Sequence, residues 1–293
     1  MTELPGDVAT LRTGLDATGY LADDGLATAL FLAVRMGQPL LLEGEPGVGK
    51  TEAAKALSTT LDTPLVRLQC YEGLTASEAL YEWNYPRQLL AIRLAESKGS
   101  TLEEADLFGA DYLLPRPLLA AISHPGPRPA VLLIDEVDRA DDEFEAFLFE
   151  LLAEGSVTIP ELGTRRATVR PVAILTSNRT RDLHDALKRR CLYHWIRYPA
   201  PDRVADIIRR RVPGASESLT RRIAASVQRL RDLDLYKPPG VAEAIAWASA
   251  LAALGVSTWD HTAAETTLGA VLKYDEDLSA THAAGLAKVL GDG

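Results

Sequence analysis

Cysteine is nearly absent from this chain of 293 residues, which has two, Cys70 and Cys191. They stand far apart, with no CxxC pattern and no Cys/His cluster around either. Neither a disulfide framework nor a zinc site is supported, and both thiols are expected to be small buried hydrophobes. The five histidines, His124, His184, His194, His261 and His282, show no ligand spacing and are expected to be structural. Long apolar runs are missing too. Runs such as Leu40 to Leu42 and Val131 to Ile134 are strand-sized, so no transmembrane helix and no membrane insertion are expected. Met1 to Gly6 lacks the basic region and apolar stretch of a secretion signal, which leaves the cytoplasm as the expected location. Positive charge is in deficit, with 31 Lys plus Arg against 41 Asp plus Glu, a net of -10. That balance weighs against a protein whose affinity comes from neutralising many nucleic acid phosphates, although a motor with a locally basic pore stays open.

What is present is a globular composition, 47% hydrophobic and 25% charged. A chain of this length can bury about 75% of its extended surface, and its length predicts about two domains. Apolar residues recur at helical spacing from Leu26 to Met36 (Leu26, Leu30, Ala33, Val34), and Pro39 to Glu43 then reads as a short buried strand. A glycine-rich turn and a helix from Lys50 to about Leu61 follow. Pro64 to Leu68 and Ala130 to Ile134 have the unbroken hydrophobic look of parallel strands covered on both faces. Phe144, Phe147, Leu148, Leu151 and Leu152 make an amphipathic helix, with Asp141, Asp142 and Glu143 in its first turn and Gly155 just past its end. Pro171 to Ser177 and Leu192 to Tyr198 add two strands. After Pro199-Ala-Pro201 the pattern is all helical, with Leu219, Ile223, Val227 and Leu230 on one helix and Val241, Ile245, Ala248 and Leu251 on another. The expected organisation is a lead-in over 1–25, an α/β domain over 26–200 and a smaller helical domain over 201–293. No internal repeat or low-complexity tract occurs.

Gly44-Glu45-Pro46-Gly47-Val48-Gly49-Lys50-Thr51 matches G-x-x-x-x-G-K-[ST] directly after a strand and at the opening of a helix. Its glycines let backbone N–H groups wrap a polyphosphate. Lys50 would reach the β- and γ-phosphates, the Thr51 hydroxyl would coordinate Mg²⁺, and Glu52 completes the candidate cofactor-binding set. Val131-Leu-Leu-Ile134-Asp135-Glu136 is an apolar strand ending in two carboxylates. The first can hold Mg²⁺ and the second can orient and deprotonate an attacking water; taken alone, the segment is equally an acidic strand end.

With these two segments, the chain resembles an AAA+ ATPase, and within that superfamily the MoxR group. The run Asp135-Glu-Val-Asp138-Arg139-Ala140, followed by a helix ending in Glu150-Leu-Leu-Ala-Glu-Gly155-Ser-Val-Thr-Ile159, carries the likeness. His184-Asp-Ala-Leu-Lys-Arg-Arg190-Cys-Leu-Tyr-His-Trp195 resembles the branch that includes accessory ATPases of carbon monoxide dehydrogenase maturation. The resemblance implies a P-loop NTPase fold, a three-layer αβα core with a parallel five-stranded sheet and a small all-α lid. It also implies Walker A and B roles for the two segments above, with ATP and Mg²⁺ as cofactors. Asn178, at the end of Pro171-Val-Ala-Ile-Leu-Thr-Ser177, takes the sensor 1 role against the γ-phosphate; as a bare residue it reads as a turn asparagine. Lys188-Arg189-Arg190 lies where this clade carries the arginine finger that acts on a neighbour's γ-phosphate. Arg190 aligns best and Arg189 is the fallback, whereas the bare pattern is three basic residues at a helix end.

One feature departs from the family pattern. The sensor 2 arginine expected at the start of a lid helix is missing from Lys237-Pro-Pro-Gly240-Val-Ala-Glu243, and Lys237, which lacks the planar fork, is the candidate substitute. By resemblance, Tyr71 to Tyr85, with Tyr71, Tyr81, Trp83 and Tyr85, is a helix 2 insert that can contact a client; a packed aromatic cluster explains it equally. Arg203, Arg209, Arg210, Arg211, Arg221 and Arg222 are expected on solvated lid faces. The function implied is that of a homo-oligomeric ring, a hexamer, in which Mg-ATP hydrolysis drives remodelling or chaperone-like maturation of a client metalloenzyme with a von Willebrand A domain partner. A nucleic acid motor of the same clade, and a nucleotide-gated scaffold with little turnover, are the alternatives.

Overall fold

The structure, a computed structural model, describes residues 4–291, apart from the side chains of Glu104, Ala105 and Glu150. The outermost residues of the expected lead-in and lid, and the Glu150 side chain, lie outside the described residues. Nine strands occur among the described residues: β1 (Leu40–Gly44), β2 (Leu65–Gln69), β3 (Tyr81–Trp83), β4 (Leu113–Pro115), β5 (Val131–Asp135), β6 (Ser156–Ile159), β7 (Gly163–Arg166), β8 (Val172–Ser177) and β9 (Leu192–Ile196). Five of them form one parallel sheet in the order β2-β5-β8-β1-β9. Register pairs Leu68 with Ile134, Leu133 with Ile174 and Leu41 with Leu175. All residues of β1, β5 and β8 are buried, which is why these segments read as continuous apolar runs: a central parallel strand is covered on both faces.

The flanking helices carry boundary signals, of which those at Asp141 and Gly155 were expected. Asp23 caps Asp24–Met36 by accepting the Leu26 N–H, and Gly37 ends it with φ of 62°. Asp141 caps Asp142–Glu154 through the Phe144 N–H, and Gly155 closes it at φ 64°. Only glycine adopts that left-handed region without strain. The helix Lys50–Leu61 opens at the predicted lysine.

The chain divides into two compact units: Met1–Gly14, Ala22–Glu43 and Ala53–His194 form one, and Leu15–Leu21, Gly44–Glu52 and Trp195–Gly293 the other. The core of the first joins sheet residues such as Leu41, Leu132, Ile134 and Leu175 to Phe144 and Leu148 of the helix Asp142–Glu154. In the second, helices Pro201–Arg211, Glu217–Arg231 and Val241–Ala253 bring Ile208, Ile223, Val227 and Leu251 around Trp247. The Trp247 indole N–H donates to Thr267 Oγ1 at 2.8 Å, so its one polar atom is satisfied. No strand follows Ile196, and no helix is long and apolar enough to cross a membrane, among the described residues.

Three differences from the sequence expectation have simple causes. The antiparallel pairs β3-β4 and β6-β7 are additional. Their strands have three or four residues, and β7 is exposed throughout, so neither carries a readable alternation. β9 stops at Ile196 rather than continuing to Tyr198; Pro199 keeps the residue before it extended, which mimics a strand after pairing has ended. The aromatic segment splits: Tyr81, Trp83 and Phe108 meet edge to face at 5.8 and 5.1 Å, with Trp83 buried, whereas Tyr71 and Tyr85 are exposed.

Candidate functional site

The phosphate-loop candidate follows β1 and is shaped by its glycines. Gly47 and Gly49 have φ of 77° and 97°. A Cβ at Gly44 would lie 2.5 Å from the Ile196 carbonyl oxygen, so a side chain is excluded there by backbone. Val48 is buried, while Glu45 and Pro46 are exposed. Lys50 is 7% exposed and its ammonium donates to the Gly44 and Glu45 carbonyls at 2.6 and 2.8 Å. Those bonds fold the lysine back over the loop, and Thr51 stands half-buried in the first helical turn. A loop that turns on left-handed glycines, ends in a helix N-terminus and holds an ammonium fits a polyphosphate.

The same unit supplies supports for the loop that sequence reasoning missed. The Gly47 carbonyl accepts the N–H groups of Val241 and Ala242 at 3.1 and 3.4 Å, and a Cβ at Gly240 would fall 2.9 Å from Gly47 Cα and from the Pro46 oxygen. Gly240 N–H donates to Glu243 Oε2 at 2.9 Å, closing the first turn of the helix Val241–Ala253. Pro-Gly followed three residues later by Glu was the available signal. Arg231 stacks its guanidinium 3.9 Å from the Tyr198 ring centre, donates to the Pro239 carbonyl at 2.8 Å and pairs with Glu45 Oε2 at 2.5 Å. Lys237 is exposed, with its ammonium 6.0 Å from the Tyr274 ring centre and its backbone N–H on Asp277 Oδ2. Asp277 holds that backbone, and the cation in contact with the candidate loop is Arg231, through Glu45, and not Lys237. Glu52 pairs with Arg211 at 2.7 Å.

The acidic strand end is built in the other unit. Asp135 is 3% exposed. Its Oδ1 accepts the Thr176 hydroxyl at 2.5 Å, and its Oδ2 accepts Arg67 Nε and Nη2 at 3.0 and 2.6 Å. Thr176 Oγ1 in turn accepts the Glu136 N–H at 2.9 Å, so one hydroxyl on β8 orders both acids of β5. Glu136 sits at φ 55°, in the left-handed region. Its carboxylate is one-third exposed and is held by Arg139 Nη1 at 3.2 Å. A buried carboxylate with fixed orientation beside a more exposed one fits one acid holding a hydrated divalent ion and the other meeting water.

Asn178 follows β8 and is half-buried; its N–H donates to Asp138 Oδ2 at 3.2 Å, and its side-chain amide has no hydrogen bond among the described residues. Glu43, the last residue of β1 in this unit, is buried and in register with Ser177. It accepts the Tyr193 hydroxyl at 3.1 Å and pairs with Arg179 at 3.7 Å. Burial first, and Glu43 second, raise the Tyr193 phenol above its usual range. Arg181 pairs with buried Glu145, whose other oxygen accepts the His184 N–H at 2.8 Å. That pair holds the segment leading to the helix Asp185–Arg190. At the end of this helix Arg189 and Arg190 are both exposed. The Arg190 guanidinium lies 4.9 Å from the Phe149 ring centre, while Arg189 has no partner among the described residues.

Of the two thiols expected to be buried, Cys70 is buried and Cys191 is half-buried. Burial, with Asp135 a secondary cause, pushes the Cys70 thiol up to about 12, and burial pushes the Cys191 thiol up to about 12. Both stay protonated and unreactive. No group of three or more His, Cys, Asp and Glu that could hold a metal occurs among the described residues. Arg209, Arg210 and Arg211 pair with Asp206, Asp16 and Glu52, and Arg221 with Glu217.

Comparison with known proteins gives one family and one fold. The family described as AAA domain (dynein-related subfamily) matches residues 39–191. A mutant of Thermotoga maritima RuvB is similar with a TM-score of 0.52 at 17% identity, over 87% of this chain and 70% of that one. The structure described as the Thermotoga maritima RuvB Holliday junction branch migration motor gives a TM-score of 0.49 at 18% identity, over 92% and 75%. At these identities the likeness is one of fold. No curated protein matches the chain.

Proposed function

The chain belongs to the AAA domain family, dynein-related subfamily, and is an ATPase; from that premise we propose that it is a MoxR-type member whose hydrolysis of ATP remodels a client protein. The loop from Gly44 to Gly49 cradles the phosphates, Lys50 offsets their charge, and Thr51 and Asp135 hold Mg²⁺. Magnesium supplies Lewis-acid charge on the phosphate oxygens when bound. Glu136 takes a proton from the attacking water, Asn178 orients that water by its amide, and Arg190 of a neighbouring subunit offsets charge developing at the transition state. Arg231 takes the place of the absent sensor 2 arginine as the lid cation facing the loop. The αβα core over 26–200 and the helical lid over 201–293 belong to the same proposal.

The observation that supports this reading most is the loop itself, in which glycine geometry, a buried ammonium and a helix start coincide. The finer reading is a hexameric ring acting in the cytoplasm with a von Willebrand A domain partner on a client metalloenzyme, as the carbon monoxide dehydrogenase accessory branch does. It rests on the segment His184 to Trp195. A net charge of -10 gives no support to the nucleic acid motor.

The test is a pair of variants. Lys50→Ala should lose nucleotide binding, whereas Glu136→Gln should bind ATP and not turn it over, because an amide accepts a hydrogen bond but takes no proton. Parental hydrolysis by Glu136→Gln would remove that residue from the mechanism.

A further inference from the structure

Arg67 stands on β2, the edge strand of the sheet, two residues before Gln69, whose register partner is Asp135. A long side chain on one strand can reach the diagonal position on the next, and Arg67 does so. Nε and Nη2 lie 3.0 and 2.6 Å from Asp135 Oδ2, and Nη2 also donates to Gln69 Oε1 at 2.5 Å. The carboxylate is buried and its other oxygen is taken by Thr176. A buried carboxylate needs a countercharge, and β2 provides one from within the chain. The guanidinium is half exposed, so it can leave for water without opening the core.

Two cations at one carboxylate oxygen repel each other. We propose that Arg67 is a built-in competitor of magnesium at Asp135: it occupies Oδ2, swings aside when the carboxylate takes up a hydrated ion, and so sets how much magnesium the site needs. Arg67 touches no reacting atom and acts only through Asp135. The inference rests on the reading of Asp135 as a magnesium-holding residue.

The experiment measures the affinity of the full chain for a fluorescent ADP analogue at saturating Mg²⁺ and in EDTA, and takes the ratio. Arg67→Gln should raise the ratio about fivefold, the size of a partly screened ion pair, and lower the Mg²⁺ concentration at half-effect, with affinity in EDTA unchanged. Arg67→Met, which keeps the packed stem and loses the charge, should do the same and serves if the first variant does not fold. Arg67→Lys, still charged, should stay near the parental ratio. In an Asp135→Asn background, Arg67→Gln should change nothing. If Asp135→Asn lowers the ratio while Arg67→Gln and Arg67→Met leave it unchanged or lower it, Arg67 is not a competitor. If Asp135→Asn keeps the parental ratio, the magnesium role of Asp135 is itself wrong and the inference falls with it.

Discussion

Asp138 accepts both the backbone N–H and the hydroxyl of Thr180 at 2.8 Å through a single oxygen, Oδ2, while its other oxygen is buried without a partner. The same Oδ2 takes the Asn178 N–H, so one carboxylate in the turn after β5 holds the turn after β8. Asp138→Ala leaves these donors unpaired in a site where Asp138 is 1% exposed. It should cost about 2–4 kcal/mol, on the scale of stranded buried donors. Asp138→Asn, whose amide oxygen still accepts, should cost less. Denaturant unfolding measures both, and equal losses would mean that the contact contributes packing only.

Gly240 predicts an effect on binding from a residue outside the phosphate-loop motif. A Cβ there meets Gly47 Cα and the Pro46 oxygen at 2.9 Å, and backbone cannot rotate away as a side chain can. Gly240→Ala should push the loop out of shape and weaken nucleotide binding about tenfold or more, on the scale of overpacking strain. Gly269→Ala, with nothing within 4 Å of the added methyl, is the control. Parental affinity in Gly240→Ala would show that the loop tolerates the displacement.

His194 makes stability depend on pH with a definite sign. Burial lowers its pKa below 6.5, with Asp23, whose Oδ1 lies 3.9 Å from Nε2, opposing the shift. Because the folded pKa is depressed, the neutral ring's contribution is complete above 6.5 and is lost as pH falls through the folded value. His194→Phe should therefore flatten the fall in Tm below pH 6.5 while changing little of the slope above it. Melting curves across that range decide it, and parallel curves for parent and variant would exclude His194 as the titrating group.

Arg190 and Arg189 separate by what surrounds them. Both are exposed, but the Arg190 guanidinium lies against Phe149 and its carbonyl takes the Gln38 amide at 3.0 Å, whereas Arg189 has no partner among the described residues. If Arg190 is the finger, Arg190→Ala should keep ATP binding and lose about 10³-fold in hydrolysis. Mixing it with Lys50→Ala should restore part of the activity in verified mixed rings, because a mixed interface joins an intact loop to an intact finger. Arg189→Ala should then hydrolyse at the parental rate. The reverse pattern assigns the finger to Arg189.

The sheet was legible because its central strands are buried on both faces, so Val131 to Ile134 and Val172 to Leu175 appear as apolar runs whatever their partners. The candidate phosphate loop was legible because its pattern is local: three glycines, a lysine and a threonine within eight residues of chain. The roles of Arg67 and Thr176 were not, since their partners Asp135 and Glu136 lie sixty-eight and forty positions away, and nothing in their own neighbourhoods marks them.

By itself, then, the sequence determined the α/β class, the strand-to-loop-to-helix context of Lys50 and Thr51, the paired acids Asp135 and Glu136, and the helical character of the chain after Pro201. These are consequences of periodicity and of contiguous motifs. Only the tertiary structure decided that Arg67 and Thr176 share Asp135, that Gly240 must be a glycine to meet Gly47, and that Arg231 rather than Lys237 pairs with Glu45. Strand order and helix packing set those distances, and a side chain acquires its partner only once folding has removed the chain length between them.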